Sequence, residues 1–290
     1  MIIDLHIHSK HSDGALTVAE IIGEAETRNI KLMSITDHDS VAAQELAIDL
    51  AKKARIHYVC GVELNVTFSH PRYNAGKAIA LDFLGYAFDP YNSELKDKLK
   101  QMADYRKERA TRILKNLNAE FEKEGLCQLT EKDFAAIQAS VDGVLGRPHI
   151  ADYLIKQGVV KTRQEAFDKY LVKCDVPKYP LYIEEASRLV RTAQGKIVLA
   201  HPNDPHGTSL VTLTHSLSEQ TEIVSDSMLD FIDGLECWHF RNDSQTTDHY
   251  VEFAEENGLM MTGGSDCHQK PLIMGTVAVP AHVAHQFNTE

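Results

Sequence analysis

Short apolar segments alternate with amphipathic helical patterns along most of this 290-residue chain. The apolar segments predict strands at 2–8, 32–36, 58–64, 79–86, 196–200, 231–238, 259–263 and 276–279. Helices are predicted between them at 16–28, 40–54, 183–194 and 245–256, with Thr17 near the start of the first and Ser40 as the N-cap of the second. Such alternation is typical of βα repeats. We therefore expect an α/β fold, a closed and mostly parallel barrel with its chemistry at the C-terminal strand ends.

A helical stretch interrupts this pattern between residues 93 and 182. Residues 93–124 predict one long helix with an apolar side, and shorter helices are predicted at 131–138, 148–157 and 163–172. We interpret residues 93–182 as a helical insertion that caps the C-terminal face of the barrel. The barrel itself is then formed by residues 1–92 and 183–290.

The composition is ordinary for a globular enzyme. The formal net charge of -12 argues against a protein that coats a nucleic-acid backbone, so stable binding to duplex DNA is not expected. We expect no membrane partner, because no apolar stretch approaches the roughly 20 residues that span a bilayer. The first ten residues lack the features of a secretory signal. The five cysteines form no C-x-x-C pair, which favours a reducing compartment. The expected location is the cytoplasm.

A His-x-His pair closes the first predicted strand. His6 and His8 point to the same side, because residues i and i+2 of a strand share a face. Two imidazoles placed in this way can chelate one ion. The pair alone is a weak indication, because on the order of one such pair is expected by chance in a chain with 15 histidines.

Further candidate ligands follow other apolar segments. Asp13 lies in a Ser-Asp-Gly sequence and is equally typical of a turn. His38 stands between two aspartates after 32–35, a crowding that favours a bound cation. Glu63 ends an apolar run and, as a carboxylate, can bridge two metal ions.

The last candidates lie in the C-terminal third. His201 closes the predicted strand at 196–200, although a histidine there is also compatible with core packing. Asp266 and His268 repeat the i, i+2 spacing of the first pair. Together, six segments place His, Asp or Glu where an apolar strand ends, a pattern that packing alone does not select. Nitrogen and oxygen ligands without thiolate suit Mn²⁺, Zn²⁺ or Fe²⁺.

Five ordered motifs, DLHIHSKHSDG, TDHD, GVE, LAHP and GGSDCH, resemble those of the polymerase and histidinol phosphatase (PHP) superfamily. The resemblance spans residues 1–268 and implies a distorted (β/α)7 barrel that holds two or three divalent ions. It assigns the first ion to His6, His8, Glu63 and Asp266. Glu63 and His201 would hold the second ion. The third would be held by Asp13, His38 and His268.

One position departs from the family pattern. Members often carry a histidine ligand of the second ion in an H-x-L-G-Y sequence, and here that sequence is DFLGY. Asp82 therefore stands at the histidine position. It is a candidate ligand, because carboxylates also bind these ions. The alternative is a second site that is weaker or empty.

The resemblance also extends to substrate-binding residues. The segment GRPHIA places Arg147 and His149 in the insertion, and a guanidinium can hold phosphate with two hydrogen bonds. Arg147 could instead be a surface residue beside a helix start at Pro148. His239 matches a histidine position common in the family, where it could orient the substrate or its leaving group; the alternative is a histidine that only ends a strand. The basic residues 106, 107, 109 and 112 are interpreted as a solvated helix face, with a route for a polyanionic substrate as the alternative.

These assignments predict a metal-dependent phosphoesterase in which a metal-bound hydroxide attacks phosphorus in line. Glu63 and Asp266 are the expected catalytic carboxylates, and Arg147 and His239 the expected catalytic residues at the substrate. The expected substrates are nucleoside 3′,5′-bisphosphates or the 5′ end of short RNA, with histidinol phosphate as the runner-up. Two other classes stay open, a metallo-amidohydrolase that cleaves C–N bonds and a non-catalytic metal-binding module.

Overall fold

The computed structural model describes residues 1–140, 145–206 and 208–287. The strands of this part are β1 (Ile2–Ile7), β2 (Ile30–Ile35), β3 (His57–Tyr58), β4 (Gly61–Phe68), β5 (Ile79–Tyr86), β6 (Lys196–Leu199), β7 (Gly234–His239) and β8 (Met260–Gly264). The α-helices are α1 (Val18–Thr27), α2 (Gln44–Ala54), α3 (Ser93–Glu124), α4 (Glu131–Ala139), α5 (Arg147–Lys156), α6 (Arg163–Ala166), α7 (Ile183–Thr192), α8 (Leu217–Ser227) and α9 (Ser244–Glu256). The predicted mixed α/β fold is confirmed.

The strands form two sheets. Strands β1, β2 and β3 pair in parallel, and the second sheet has the order β4-β5-β6-β7-β8. Only β5 pairs antiparallel with its neighbours, so it runs against the other strands. Isolated parallel bridges join Ile7 with Cys267 and His38 with Glu63, which brings β1 beside β8 and β2 beside β4. A closed seven-stranded barrel stays a prediction.

Two predicted strands differ from the structure. The segment 58–64 is divided between β3 and β4, and β4 continues to Phe68 because it pairs with the whole length of β5. Residues 276–279 form no strand: Gly275 has a φ of 69° and the amide of Thr276 donates to Ile273, so the chain turns there.

Local sequence explains where the helices begin and end. Thr17 caps α1, and its capping box with Glu20 confirms the predicted start. Asn92 caps α3 and Gly125, with a φ of 69°, ends it. The prediction of Ser40 as an N-cap was wrong, since α2 begins at Gln44.

The insertion contains a hydrophobic core of its own. The C-terminal half of α3, from Ala110 to Phe121, packs with α4, α5 and the residues up to Cys174. The N-terminal half, including Leu95, Leu99 and Met102, packs instead against the core around β4 to β7. One helix thus joins both cores, while the domain boundaries at 93 and 182 stay a prediction. No helix of the described ranges has the length and apolar character that a bilayer span requires.

Candidate metal centre

The strands bring most of the predicted ligands to one edge of the molecule. His8 follows β1, His38 follows β2 and His201 follows β6, each within three residues of the strand end. Asp266 lies two residues after β8. Glu63 does not end its strand as predicted but is the third residue of β4. It reaches the same place because its backbone bridges to His38.

The imidazoles of His6 and His8 both lie close to the same two carboxylates. Nε2 of His6 lies 3.4 Å from Oε2 of Glu63 and 3.3 Å from Oδ1 of Asp266. Nε2 of His8 lies 3.3 Å and 3.2 Å from the same two oxygens. Both imidazole nitrogens are buried and have no hydrogen-bond partner among the described residues. Buried polar atoms that are left unpaired cost about 1–3 kcal/mol each, so this group fits a divalent cation.

Glu63 lies between two further histidines. Its Oε1 is 3.0 Å from Nε2 of His201, and its Oε2 is 2.9 Å from Nδ1 of His38. The Glu63 carboxylate therefore faces His6 and His8 with Oε2 and His201 with Oε1. This arrangement fits the bridging role that the sequence predicts for Glu63.

Asp13 gathers the remaining predicted ligands. Its Oδ1 lies 3.3 Å from Nε2 of His268, and its Oδ2 lies 3.8 Å from Nε2 of His38. Nδ1 of His8 is 3.8 Å from the same aspartate. Oδ1 of Asp13 has no hydrogen-bond partner in the described ranges. Asp13 can be both a turn residue and a metal ligand, because the loop places its carboxylate near the imidazoles of His8, His38 and His268.

Protonation of these groups reflects their crowding. Burial would raise the pKa of Glu63, but the charges of His38 and His6 hold it well below its usual value. Burial would lower the pKa of His201, yet its hydrogen bond with Glu63 raises it to about 10. Burial would likewise lower the pKa of His268, but the negative charge of Asp13 raises it to about 10. The imidazoles thus hold positive charge that bound metal ions would replace.

Asp82 is near the cluster but is already hydrogen bonded. It is the fourth residue of β5, and it reaches the site because β5 runs antiparallel to its neighbours. Asn65 donates to one of its carboxylate oxygens and Thr208 to the other. Burial and the charge of Glu63 raise the pKa of Asp82. His38, Glu63 and Asp82 offer ligand atoms within 4.8 Å of one another, so the position suits a metal ligand.

The sequence analysis missed Glu236. This buried residue of β7 accepts a hydrogen bond from Nδ1 of His6 at 2.9 Å and one from the backbone amide of His201 at 2.8 Å. It therefore orients one ligand side chain and the backbone of another. A carboxylate between the apolar residues Leu235 and Cys237 of the predicted strand was the signal that could have identified it.

His239 lies beside Asp266. It is the last residue of β7 and is buried, with Nε2 3.6 Å from Oδ2 of Asp266. That nitrogen has no hydrogen-bond partner in the described part of the chain. Its contact with substrate stays a prediction.

Two cavities open above the cluster. The larger measures about 540 Å³ and is lined by His201, Asp266, His268 and, at its rim, Phe240 and Arg241. The smaller, about 260 Å³, is lined by Asp13, His38, Asp82 and side chains of the insertion. Volumes of several hundred Å³ are typical of small-molecule sites.

Arg147 and His149 line the smaller cavity from the N-terminus of α5. Arg147 donates from Nη1 to Asp175 at 2.7 Å, and its guanidinium lies 5.3 Å from the centre of the Phe167 ring. Nδ1 of His149 accepts the backbone N–H of Gly146 at 3.0 Å. The structure thus brings both residues to the cavity above the candidate ligands.

The interpretation of a solvated basic face on α3 was half wrong. Lys107 and Arg112 are exposed as predicted. Arg106 and Arg109 instead point inwards and line the smaller cavity. Helix α3 therefore has basic side chains both in solvent and at the site. The sequence pattern alone did not show which of the four face the site.

The comparisons identify the family. The PHP domain model matches residues 4–185, which is more than half of the chain. The chain belongs to the PHP domain family. The 3′,5′-nucleoside bisphosphate phosphatase of Chromobacterium violaceum is 28% identical, over 92% of this chain and 87% of that protein. The 5′-3′ exoribonuclease Rnm of Escherichia coli is 26% identical, over 93% and 86%.

Solved structures show the same fold. A chain from Bifidobacterium adolescentis, described as a metal-dependent phosphoesterase, superposes with a TM-score of 0.79 at 26% identity, covering 98% of this chain and 94% of that one. A Chromobacterium violaceum structure, described as an amidohydrolase with bound sulfate and no metal, gives 0.77 at 27% identity, covering 98% and 93%.

Proposed function

We propose that this chain is a metal-dependent phosphoesterase that hydrolyses phosphomonoesters of small nucleotides, either nucleoside 3′,5′-bisphosphates or the 5′ end of short RNA. The observation that carries the proposal is the placement of His6 and His8 against Glu63 and Asp266, two carboxylates that line a cavity of about 540 Å³. The reaction class is shared with the curated relatives, which are named as a nucleoside bisphosphate phosphatase and exoribonucleases.

The proposed cofactors are two or three ions of Mn²⁺, Zn²⁺ or Fe²⁺, because the donors are imidazole and carboxylate without thiolate. When bound, such ions supply a water of lowered pKa and positive charge for the phosphate oxygens. His6, His8, Glu63 and Asp266 would hold the first, and Glu63 with His201 the second. The third would lie among Asp13, His38 and His268, and Asp82 is proposed as a further ligand of the second.

The chain's own side chains then position the substrate. Oδ1 of Asp266 faces His6 and His8, which leaves Oδ2 beside His239. We assign to Asp266 the orientation of the attacking water and to His239 the contact with the leaving oxygen. Arg147 and His149 bind phosphate oxygens from the insertion side, where Arg147 adds positive charge as the transition state develops.

An aromatic residue supports a nucleotide as the substrate. The side chain of Phe240 is 38% exposed at the rim of the larger cavity, directly after His239. Arg241 covers one part of it, with the guanidinium 4.5 Å from the ring centre. A base can stack on such a ring or guanidinium, which typically contributes about 1–3 kcal/mol.

The test is phosphate release from adenosine 3′,5′-bisphosphate by the Mn²⁺-loaded chain, with 5′-phosphorylated oligoribonucleotide and histidinol phosphate in parallel. We expect metal-dependent release that disappears in His8→Ala and Asp266→Ala. His57→Ala is the matched control, because His57 is exposed on β3 away from the cluster. Full metal binding without release from any of these esters would refute the proposal.

Amide hydrolysis is the second candidate, because one solved relative is described as an amidohydrolase. It would use the same His and carboxylate cluster to attack a C–N bond. Assays with amide and cyclic-imide substrates, run on the same metal-loaded protein, distinguish the two activities.

A further inference from the structure

Asp4 is a fully buried carboxylate of β1 to which the proposed function gives no role. It begins the first of the five motifs, yet it belongs to none of the groups of candidate metal ligands in the described part of the chain. A buried carboxylate is costly unless hydrogen bonds compensate the loss of water. The partners of Asp4 therefore indicate what its side chain does.

Both carboxylate oxygens of Asp4 bind the loop that follows β8. Oδ1 accepts the backbone N–H of Ser265 at 2.9 Å, and Oδ2 accepts the hydroxyl of the same serine at 2.7 Å. Oδ2 also accepts the backbone N–H of Gly275 at 2.7 Å. One side chain of β1 thus holds both ends of the loop 265–275.

This loop carries two of the predicted metal ligands, Asp266 and His268. Its residues 269–271 and 273 also line the larger cavity. The position of the loop relative to β1 therefore decides how far Asp266 lies from the histidines of the first site.

The backbone of Asp266 needs support from its neighbours. Its φ of 50° lies in the left-handed region, which for a residue other than glycine costs about 1–3 kcal/mol and persists only where surrounding contacts fix it. On one side of Asp266, the two hydrogen bonds from Ser265 to Asp4 supply such contacts. On the other side, the backbone N–H of His8 donates to the carbonyl of Cys267 at 3.1 Å. Both supports come from β1 and the residue that follows it.

We propose that Asp4 is a positioning residue, which keeps Asp266 turned toward His6 and His8 by tying both ends of the loop 265–275 to β1. The inference rests on the proposed metal centre and adds a residue that binds neither metal nor substrate. Asp4 acts on metal affinity through Ser265 and Asp266, because both of its oxygens already accept hydrogen bonds from the loop.

The first test is the affinity of Asp4→Asn for Mn²⁺, with free Mn²⁺ measured by electron paramagnetic resonance. The amide keeps the size of the side chain but has only one accepting oxygen, so we expect the affinity to fall about 10- to 100-fold. Unchanged affinity in a folded Asp4→Asn would overturn the proposal.

Asp233→Asn is the matched control. Asp233 also accepts a backbone N–H, from Ile197 at 3.0 Å, but it lies just before β7, at the opposite end of that strand from His239. This variant should affect only the free energy of unfolding and keep the Mn²⁺ affinity of the wild-type chain. An equal loss of affinity in both variants would mean that general destabilisation, and not the position of Asp266, is responsible, which would also overturn the proposal.

Ser265→Ala tests the same contact from the loop side. It removes the hydroxyl and keeps the backbone hydrogen bond, so we expect Mn²⁺ affinity to fall by about threefold to tenfold. The double variant Asp4→Asn/Ser265→Ala should lose less than the product of the two single effects, because both changes act through one contact. Effects that simply multiply would contradict a role of Asp4 through Ser265. If Asp4→Asn does not fold, unchanged affinity in Ser265→Ala decides against the proposal.

The binding data separate this inference from the function on which it rests. Weaker Mn²⁺ binding by Asp4→Asn, together with a wild-type chain that hydrolyses no phosphate ester, would support the role of Asp4 and contradict the phosphoesterase. Hydrolysis by the wild-type chain with equal metal affinity in Asp4→Asn would do the reverse. A wild-type chain that binds no Mn²⁺ would contradict both.

Discussion

Glu236 illustrates what a single buried carboxylate contributes to the candidate centre. It touches no predicted substrate position but accepts hydrogen bonds from the His6 ring and from the His201 backbone. Burial would raise its pKa, and the neighbouring charge of His6 keeps the pKa below its ordinary value. Glu236 therefore stays ionised and fixes which nitrogen of His6 is presented to a metal ion.

Replacing Glu236 by Gln tests this positioning role. The amide keeps the size of the side chain but loses the charge that orients His6, so metal affinity should fall about 10- to 100-fold. Titration of Mn²⁺ into the chelated protein measures it. Excess Mn²⁺ should restore much of the activity, which a catalytic role of Glu236 would not allow. Unchanged metal affinity would show that His6 needs no such partner.

Lys178 lines the smaller cavity with Arg106, Arg109 and Arg147, where a phosphate of the substrate can reach it, and this placement gives a pH dependence with a defined sign. Its pKa is about 8 in the folded chain against an ordinary 10.5, so it loses its charge as the pH rises through about 8. The groups that face it are Arg106, Arg109, Arg147 and Asp82. A phosphomonoester, with its second pKa near 6, is fully ionised throughout this range. We expect the affinity for adenosine 3′,5′-bisphosphate to weaken above pH ~8, measured by calorimetry with chelator. Lys178→Arg should flatten the profile, and a wild-type profile that is already flat would contradict this assignment.

At the scale of elements, the approach of β8 to β1 sets the distance between ligands. Gly264 ends β8 where a Cβ atom would overlap the backbone nitrogen and Cβ of His6. Only glycine permits this contact, two residues before Asp266. The closeness of Asp266 to His6 and His8 therefore depends on the missing side chain at Gly264.

Gly264→Ala should separate these strands. We expect loss of metal from the first site and a fall in the free energy of unfolding of about 1–3 kcal/mol, typical of overpacking. Elemental analysis and denaturant unfolding measure the two effects. Gly23→Ala in α1 is the matched control, because a Cβ there meets nothing within 4 Å. That control should keep its metal and be slightly more stable. If Gly264→Ala kept its metal, the contact between β1 and β8 would not be what sets the distance between the ligands.

For the whole molecule, the centre links metal to stability. Asp13, Glu63, Asp82, Glu236 and Asp266 crowd into one region, and a metal ion that binds only the folded chain must stabilise it. At free metal one hundred times the Kd, the gain is about 2.7 kcal/mol. A chain of this size gains about 2–4 °C of Tm per kcal/mol. Thermal unfolding with Mn²⁺ and with chelator should differ accordingly, and Asp266→Ala should remove most of the difference. Equal Tm values for the wild-type chain would argue against metal binding by the folded state.

The limits of sequence prediction follow from the same geometry. His6 with His8, and Asp266 with His268, could be predicted because strand periodicity places i and i+2 on one face. Long helices such as α3 were predicted because their apolar period is sustained. The antiparallel direction of β5 carries no local signal, so the route by which Asp82 reaches the cluster could not be foreseen. The inward turn of Arg106 and the presence of Lys178 depend on how the insertion packs, which is a tertiary property.

Glu63 has one carboxylate but lies within hydrogen-bonding or ion-pairing distance of His6, His8, His38 and His201. The proposed first and second ion positions are therefore not independent, because both use the Glu63 carboxylate. An ion that fixes one carboxylate oxygen of Glu63 also fixes the direction of the other. Loading at one position then changes the affinity of the next. We expect activity to depend on free metal concentration as a threshold rather than as a simple saturation curve. A chain built in this way responds to the metal supply of its surroundings as well as to its substrate.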